Sequence, residues 1–451
     1  MLQVTGQPKH LCDRVSRRSF IRAGFLGAAA TGGLSLTDLL RAREVDPAAR
    51  EPRFGGKSIL MIWQHGGPSQ LDTFDMKPEA PSEVRSPYRP MKTNVPGIEI
   101  ADNLPYQAKV MDKCTIFRGF THGNGDHWAA AHWLLTGYLG ATGSSRRPRS
   151  PSMGTIASHL LGPQRPGVPA NVNMNDGGFG YHGGSYLGVA HNPLRTGEFS
   201  YGNEASRLPT ADAKMFELVD GLSESRLMNR IALQNQFDGL RKIVDTTGSF
   251  EQMDSIQQQA VGILLSGRTR RAFDLSEEDE KTREAYGPGW GEQALLARRL
   301  IEAGVRFVTL NTGYWDDHGQ IKRALDNKMP RHDRAVGVLI QDLADRGLLE
   351  DTLVITAGEF GRTPKFNKDA GRDHWPRAQS ILFAGGGYRH GQIVGSTNDK
   401  AEYPTSGAIE PADFGAIVYH ALGLDPRQTI PNLSGRPVHL LPGGTVPKEL
   451  L

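Results

Sequence analysis

Predominantly apolar runs that alternate with helical patterns constrain the fold of this 451-residue chain more than any other feature. Four such runs are found at residues 58–63, 305–310, 352–356 and 380–384. Strands that are buried on both faces of a sheet have this character. Helical patterns end at Gly304 and Gly347, just before the second and third runs. We therefore predict an α/β fold, a three-layer sandwich with a largely parallel central sheet. We expect the four strands to lie in one parallel sheet.

The amino-terminal segment has the composition of an export signal. Residues 16–22 (SRRSFIR) contain paired arginines, and residues 23–40 are small and apolar but interrupted by glycines. This pattern is typical of a twin-arginine targeting peptide and makes a poor membrane span. We predict signal peptide and linker at residues 1–45 and a domain at residues 54–445, with a helical insertion at about 210–300. The protein would be periplasmic or extracellular, and membrane-bound only if the signal is retained as an anchor.

Charge, cysteine content and motif searches exclude several classes of function. The formal net charge is +3 and no basic stripe is interleaved with aromatics, so nucleic acid is not an expected partner. Cys12 lies in the predicted signal, which leaves Cys114 without a partner for an intrachain disulfide or a thiolate metal cluster. A G-x-G-x-x-G match at residues 178–183 is not followed by a helical pattern, and no G-x-S-x-G occurs. Both observations disfavour dinucleotide and serine-esterase chemistry.

Three Asp-His dipeptides adjoin predicted strands: Asp126-His127, Asp317-His318 and Asp373-His374. Carboxylates and imidazoles that converge from several strands are suitable ligands for a divalent metal. For any single pair, a surface hydrogen bond is an equally good interpretation. Asp126 in particular is placed to cap a helix that follows the strand predicted at 114–117. His127 would begin that helix, where the dipole lowers its pKa and suits a neutral ligand or a general base.

Polar segments at the strand ends supply the remaining candidates, since sites of parallel α/β sheets lie beyond the carboxyl ends of the strands. The candidate ligands are Asp72, Asp316, His318, Glu359, Asp373 and His374. His374 precedes the last predicted strand, so its segment would have to loop back over the sheet end. Arg362 and Arg372 are candidates for binding an anionic oxygen, although pairing with nearby carboxylates is an equal alternative.

Several motifs resemble those of known hydrolases. Residues 134–137 (LLTG) look like the end of the sulfatase signature helix, and residues 358–361 (GEFG) follow a strand in the same way as a sulfatase Ser-Asp-His-Gly. The helix predicted at 411–423 resembles their late helix. Nearly the whole chain is similar to a family of twin-arginine-exported, sulfatase-like proteins, domain of unknown function 1501, in the alkaline phosphatase superfamily. The matching motifs include residues 66–75, 315–318, 358–364 and 371–376.

This resemblance implies an alkaline phosphatase-like fold and hydrolysis of sulfate or phosphate esters at one or two metals. The sequence departs from sulfatases at three places: Gln64-His65 replaces paired aspartates, His127 takes the place of the nucleophile, and Glu359-Phe360 replaces an Asp-His pair. The covalent sulfatase mechanism is therefore not expected to carry over.

Together these observations predict an exported, metal-dependent hydrolase of sulfate or phosphate esters in which the metal activates water. The core ligands would be Asp316, His318, Glu359 and His374, with His127 as the general base or an extra ligand. The divalent metal would be Zn or Mn in preference, with Ca possible. The substrate would be a small-molecule or polysaccharide ester. The alternative is a non-catalytic exported binding protein that retains the fold.

Overall fold

The structure is a computed structural model that describes residues 57–140, 148–176, 183–198 and 249–451, together with residues 216, 223, 225–227 and 229. The predicted signal peptide and most of residues 199–248, which include part of the predicted helical insertion, lie outside the described residues. No described helix is long and apolar enough to cross a bilayer.

An eight-stranded sheet forms the centre of the fold. Its strands, numbered here in chain order, are β1 (Ser58–Gln64), β2 (Cys114–Phe120), β3 (Asn171–Asp176), β4 (Leu194–Glu198), β5 (Phe307–Thr312), β6 (Thr352–Ala357), β7 (Gln379–Gly385) and β8 (Gln392–Val394). Their order across the sheet is β8-β2-β7-β6-β1-β5-β3-β4. All four predicted apolar strands lie in this sheet, and the predicted α/β fold class is confirmed.

The direction of β7 contradicts the prediction of four parallel strands. β7 is antiparallel to both β2 and β6, whereas β1 is parallel to β5 and β6. Parallel neighbours need a long crossover, usually a helix, and the structure describes no helix between β6 and β7. The segment before β7 therefore lies at the sheet edge where β1, β5 and β6 end, and it reaches that edge without looping back.

Helices cover both faces of the sheet. They are α1 (Pro105–Ala108), α2 (His127–Thr136), α3 (Met153–Leu161), α4 (Ser249–Ser266), α5 (Arg268–Phe273), α6 (Glu280–Tyr286), α7 (Trp290–Ala303), α8 (Ile321–Asp345) and α9 (Pro411–Ala421). Two-stranded ribbons pair Pro90–Lys92 with Glu99–Ala101, Gly361–Arg362 with His374–Trp375, Ser396–Thr397 with Pro404–Ser406, and Thr429–Pro431 with Pro437–His439.

Two hydrophobic clusters fill the spaces between the sheet and its helices. Leu60 and Ile62 of β1 belong to one cluster, which includes apolar side chains of α7 and α8. The alternate residues Ile59 and Met61 belong to the other, with side chains of α2, α3 and α9. Because successive side chains of a strand point to opposite faces, the order of layers is helix, sheet, helix. This is the predicted three-layer sandwich.

Candidate metal centre

The loops after β1, β5 and β6 meet at one edge of the sheet because a glycine lets their backbones approach closely. Gly66 has a φ of +107°, and a Cβ atom there would lie 2.6 Å from the backbone nitrogen of Asp316. The Gly66 N–H group donates to both carboxylate oxygens of Glu359, at 3.0 and 3.2 Å. The loop after β1 thus positions Asp316, in the loop after β5, and Glu359, in the loop after β6.

Three ligand-type atoms converge at this edge. Nε2 of His318 lies 2.9 Å from Oδ1 of Asp316, and Nε2 of His374 lies 3.0 Å from the same oxygen. The two Nε2 atoms are 3.1 Å apart. Asp316 and His318 follow β5, whereas His374 precedes β7, so the antiparallel strand supplies the third member.

The second nitrogen of each imidazole shows which way the ring is oriented. Nδ1 of His318 donates to Oδ1 of Asp373 at 2.6 Å, and Nδ1 of His374 donates to the carbonyl oxygen of Gly125 at 2.9 Å. With Nδ1 as the donor, a neutral imidazole carries its lone pair on Nε2. Both lone pairs therefore face the Asp316 carboxylate, an arrangement of acceptors that a cation stabilises.

These separations fit a divalent cation. With ligand bonds of about 2.1 Å, two ligand atoms are roughly 3.0 Å apart at a right angle and roughly 3.4 Å apart at a tetrahedral angle. Both separations are close to the spacing of this cluster. Hydrogen bonds from Nδ1 to a carboxylate and a carbonyl are the usual outer partners of metal-binding histidines. His127 also offers a nitrogen, and atoms of His127, Asp316 and His374 lie within 4.8 Å of one another.

Asp316 is the electrostatic centre of the cluster. Its Oδ1 accepts a hydrogen bond from Arg362 at 2.5 Å, and its Oδ2 accepts one from the Tyr314 hydroxyl at 2.8 Å. Burial raises the pKa of Asp316, but a hydrogen bond from His127 and the charge of Arg362 outweigh this effect and hold the pKa well below its usual range. Asp316 is therefore a carboxylate at any working pH.

His127 and Glu359 form a second carboxylate–imidazole pair beside the first. Nδ1 of His127 lies 2.6 Å from Oε1 of Glu359, and Nε2 lies 3.3 Å from Oδ2 of Asp316. Burial lowers the pKa of His127, but hydrogen bonds and charges from the two carboxylates have the larger effect and raise the pKa to about 9. We expected the helix dipole to lower this pKa, but the nearer charges of Glu359 and Asp316 have the opposite and larger effect. Glu359 contacts His127 and Gly66, so we assign it to orienting His127.

Asp72 and Arg372 pair with each other. Nε of Arg372 donates to Oδ2 of Asp72 at 2.9 Å, and both side chains are fully buried. Hydroxyl groups of Ser69 and Ser86 also donate to the Asp72 carboxylate, at 2.6 and 3.0 Å. The other donors of Arg372 bond to carbonyl oxygens of Val84, Thr363 and Pro364. We therefore leave Asp72 out of the ligand set and Arg372 out of any anion site.

Arg362 is likewise occupied. Its Nε donates to the carbonyl oxygen of Gly67 at 2.9 Å and its Nη1 to that of Arg372 at 3.2 Å, while Nη2 bonds to Gly66 and Asp316. The side chain is fully buried. Its charge offsets that of the Asp316 carboxylate. Both arginines therefore pair with carboxylates, as the alternative interpretation held, but their partners Asp316 and Asp72 are distant in the sequence.

The family of the chain follows from its sequence. Residues 56–451 match the family described as "Protein of unknown function (DUF1501)". The chain belongs to this family. A search of curated proteins finds no significant match.

Solved structures match this DUF1501 chain only distantly. The PsFucS1 sulfatase from Pseudoalteromonas sp. is 12% identical, with 86% of this chain and 70% of that chain covered and a TM-score of 0.39. The lipoteichoic acid synthase LtaP from Listeria monocytogenes is 11% identical, with 87% and 79% covered and a TM-score of 0.32. The structure of Ps i-CgsB is 10% identical, with 82% and 72% covered and a TM-score of 0.39. Likeness at this level leaves the activity to be argued from the site.

Several contributors to the DUF1501 site are not evident from the sequence. The Phe360 ring lies 4.8 Å from that of His127 and 4.6 Å from that of His374, centroid to centroid. His122 bonds through Nε2 to the carbonyl oxygen of Glu359 at 2.7 Å. Asp126 caps α2 by accepting from the backbone of Ala129, as its alternative interpretation had it. The sequence indicates candidate site residues only by their position directly after an apolar run. That position does not tell which of their side chains face the site.

Proposed function

We propose that this protein is an exported, metal-dependent hydrolase of sulfate or phosphate esters. The observation that carries the proposal is the convergence of two imidazole Nε2 atoms and one carboxylate oxygen within 3.1 Å at the carboxyl end of a mostly parallel sheet. Asp316, His318 and His374 would hold the metal. Three protein ligands leave coordination positions for water and substrate, as catalytic sites require.

The position of the ligands in the fold favours a catalytic over a purely structural metal. The His318 side chain is 46% exposed and that of Asp373 is 52% exposed, whereas Glu359 is fully buried. The site therefore opens to solvent on one side and is closed by the protein on the other. A divalent cation bound there supplies Lewis acidity, which polarises an ester oxygen and acidifies water.

The donor set constrains the metal. Two nitrogen ligands and one carboxylate suit Zn²⁺ or Mn²⁺, and Fe²⁺ also accepts this set. Ca²⁺ prefers six to eight oxygen ligands, so it fits less well than the sequence alone suggested. Zn²⁺ or Mn²⁺ is the metal we propose.

His127 is the group that we propose to move a proton. Glu359 fixes its Nδ1, which leaves Nε2 at the Asp316 side of the cluster. A protonated His127 would offset the negative charge of a sulfate or phosphate group and could pass its proton to a leaving oxygen. In this role His127 would be a general acid, an alternative to the general base predicted from the sequence, and the hydrogen bond from Nδ1 to Glu359 favours its charged form.

Export and substrate class rest on the sequence. The twin-arginine pattern at residues 16–22 lies outside the described residues, and it supports a periplasmic or extracellular location. A small-molecule or polysaccharide ester is the proposed substrate. The rival function, a metal-containing binding protein without turnover, is favoured by His127 standing where sulfatases carry their nucleophile.

The test compares metal content and hydrolysis in the purified protein. We expect about one equivalent of metal in the wild type and hydrolysis within a panel of sulfate and phosphate mono- and diesters. His374→Ala and His318→Ala should each lose the metal and all turnover. His127→Ala should retain the metal and slow turnover roughly 10²–10⁴-fold.

His420→Ala is the matched control, because His420 is an exposed histidine on α9 whose described partner is Tyr388. It should leave both metal content and rate unchanged. Stoichiometric metal with no hydrolysis of any ester would establish the binding protein instead. Loss of metal in His127→Ala would make His127 a ligand.

A further inference from the structure

We propose that Asn367 is a positioning residue for the metal centre: its amide holds the Asp373 carboxylate so that His318 presents Nε2 to the ion. This inference rests on the proposed metal site. Asn367 lies in the turn between the Gly361–Arg362 and His374–Trp375 segments of one ribbon. Its Nδ2 donates to the carbonyl oxygen of His318 at 2.8 Å and to Oδ1 of Asp373 at 3.0 Å.

The hydrogen-bond network fixes which way the Asn367 amide faces. Its Oδ1 accepts from the backbone N–H groups of Asp369 and Gly371, at 3.0 and 2.9 Å. A flipped amide would set NH₂ against two donors and its oxygen against two acceptors. The donor end of Asn367 is therefore directed at His318 and Asp373.

Asp373 needs such a partner because it is exposed. Its Oδ1 accepts from Nδ1 of His318 at 2.6 Å, but about half of each side chain is in contact with solvent. Exposed carboxylate–imidazole pairs are weak and geometrically loose. A second donor on the same oxygen restricts the carboxylate to the rotamer that keeps the proton on Nδ1 and the lone pair on Nε2.

The backbone around Asn367 is held against the ligand loop. A Cβ atom on Gly371 would lie 2.0 Å from the carbonyl carbon of His318. The backbone N–H of Arg372 donates to the carbonyl oxygen of Asp317 at 3.1 Å, and that of Gln320 to Asp369 at 2.9 Å. The turn and the ligand loop therefore form one unit, and the Asn367 side chain connects that unit to Asp373.

Asn367→Asp reverses the polarity of this contact while keeping the turn. The new carboxylate can still accept from Asp369 and Gly371, but it opposes the carbonyl of His318 and the carboxylate of Asp373. In ¹⁵N-histidine-labelled, metal-free protein, the Nδ1–H signal of His318 should shift, because its hydrogen bond to the displaced Asp373 carboxylate becomes weaker. Zn²⁺ affinity, measured by titrating the metal-free protein with zinc alone, should fall about 10–100-fold.

The double variant Asn367→Asp with Asp373→Asn tests the same contact in the opposite sense. In the native contact, His318 and Asn367 both bond to Oδ1 of Asp373. An Asn at 373 must therefore turn its amide so that its oxygen accepts from Nδ1 of His318 while its Nδ2 donates to the carboxylate at 367. We expect it to recover part of the zinc affinity and the His318 signature. Recovery requires direct contact between the two side chains, which a general loss of stability would not produce.

Asn432→Asp is the matched control. Asn432 accepts from the backbone of Ser434 and Arg436 at 3.0 Å each, two and four positions on, as Asn367 does from Asp369 and Gly371. It lies in the turn of the C-terminal ribbon. This variant should match the wild type in zinc affinity and in the His318 signals.

The outcomes separate the two proposals. Unchanged His318 signals and unchanged zinc affinity in Asn367→Asp would overturn the positioning role. A wild type that binds neither zinc nor manganese would refute the proposed function, whereas a shifted Nδ1 signal of His318 in the metal-free variant would still establish that Asn367 positions His318. Equal losses in Asn367→Asp and Asn432→Asp would also overturn it, because the effect would then belong to the turn.

Discussion

His127 lies between two carboxylates, and this setting determines its charge. The hydrogen bond from Nδ1 to Glu359 and the proximity of Nε2 to Asp316 both favour the imidazolium. Position at a helix start, the feature visible in the sequence, acts in the opposite direction and is the smaller effect. Two ion pairs made with residues more than 180 positions away decide the protonation state of this histidine.

We predict that this charge contributes to the stability of the metal-free protein in a defined pH window. The pKa of His127 is raised from 6.5 to about 9, so its contribution is fully present below pH 6.5 and is lost as the pH rises through 9. The difference in unfolding free energy between wild type and His127→Gln should be at most about 3 kcal/mol at pH 6 and should shrink toward pH 9.5. Urea denaturation in the presence of a chelator measures it. A difference that grew with pH would contradict the assignment.

At the residue scale, the sequence predicted which side chains could bind a metal better than it predicted which atoms each side chain contacts. His318, His374, Asp316 and Asp373 were predicted from their residue types next to apolar runs, and the structure brings them together. Asp72 and Arg372 have the same residue types and equally suggestive neighbours, yet they neutralise each other in the interior. Whether a charged side chain contacts a ligand or another side chain depends on contacts hundreds of positions apart, which a single sequence does not contain.

At the element scale, the Asp72–Arg372 pair joins the loop after β1 to the ribbon before β7. Removing one partner leaves the other charge buried and uncompensated. We expect Asp72→Asn and Arg372→Met each to lower the free energy of unfolding by roughly 3–5 kcal/mol, and the double variant to lose less than the sum. Chemical denaturation of the metal-loaded proteins measures these values.

Metal content separates this role from direct ligation. Folded Asp72→Asn should still contain about one equivalent of metal, because its carboxylate bonds to Arg372, Ser69 and Ser86. A folded Asp72→Asn without metal would return Asp72 to the ligand set.

Strand positions were predictable, whereas the direction of one strand was not. The runs that became β1, β6 and β7 are largely apolar because both faces of each strand are covered by helices. The composition of an apolar run is the same whichever way the strand runs, so it does not predict whether the strand is parallel or antiparallel to its neighbours. The cue that was available is the stretch between β6 and β7, which lacks a helical pattern and so does not supply the crossover that a parallel neighbour needs.

At the scale of the whole molecule, metal binding should be visible as stability. The three ligands come from segments on both sides of β6, so an ion that binds only the folded chain stabilises the entire sheet. Zinc at about 100 times its dissociation constant should add about 2.7 kcal/mol and raise the melting temperature by a few degrees. His374→Ala should show no zinc-dependent shift. An equal shift in that variant would place the ion elsewhere.

The antiparallel strand β7 also has a consequence for when the centre comes into existence. The carbonyl of Gly125 that orients His374 is 249 positions away from it in the chain. Such distant segments meet only after much of the chain has been synthesised and slow, non-local closures have occurred. The ion therefore has no complete set of oriented ligands until the chain has been synthesised beyond His374 and these segments have met. It would join late, and its presence would mark a chain in which this edge of the sheet has formed.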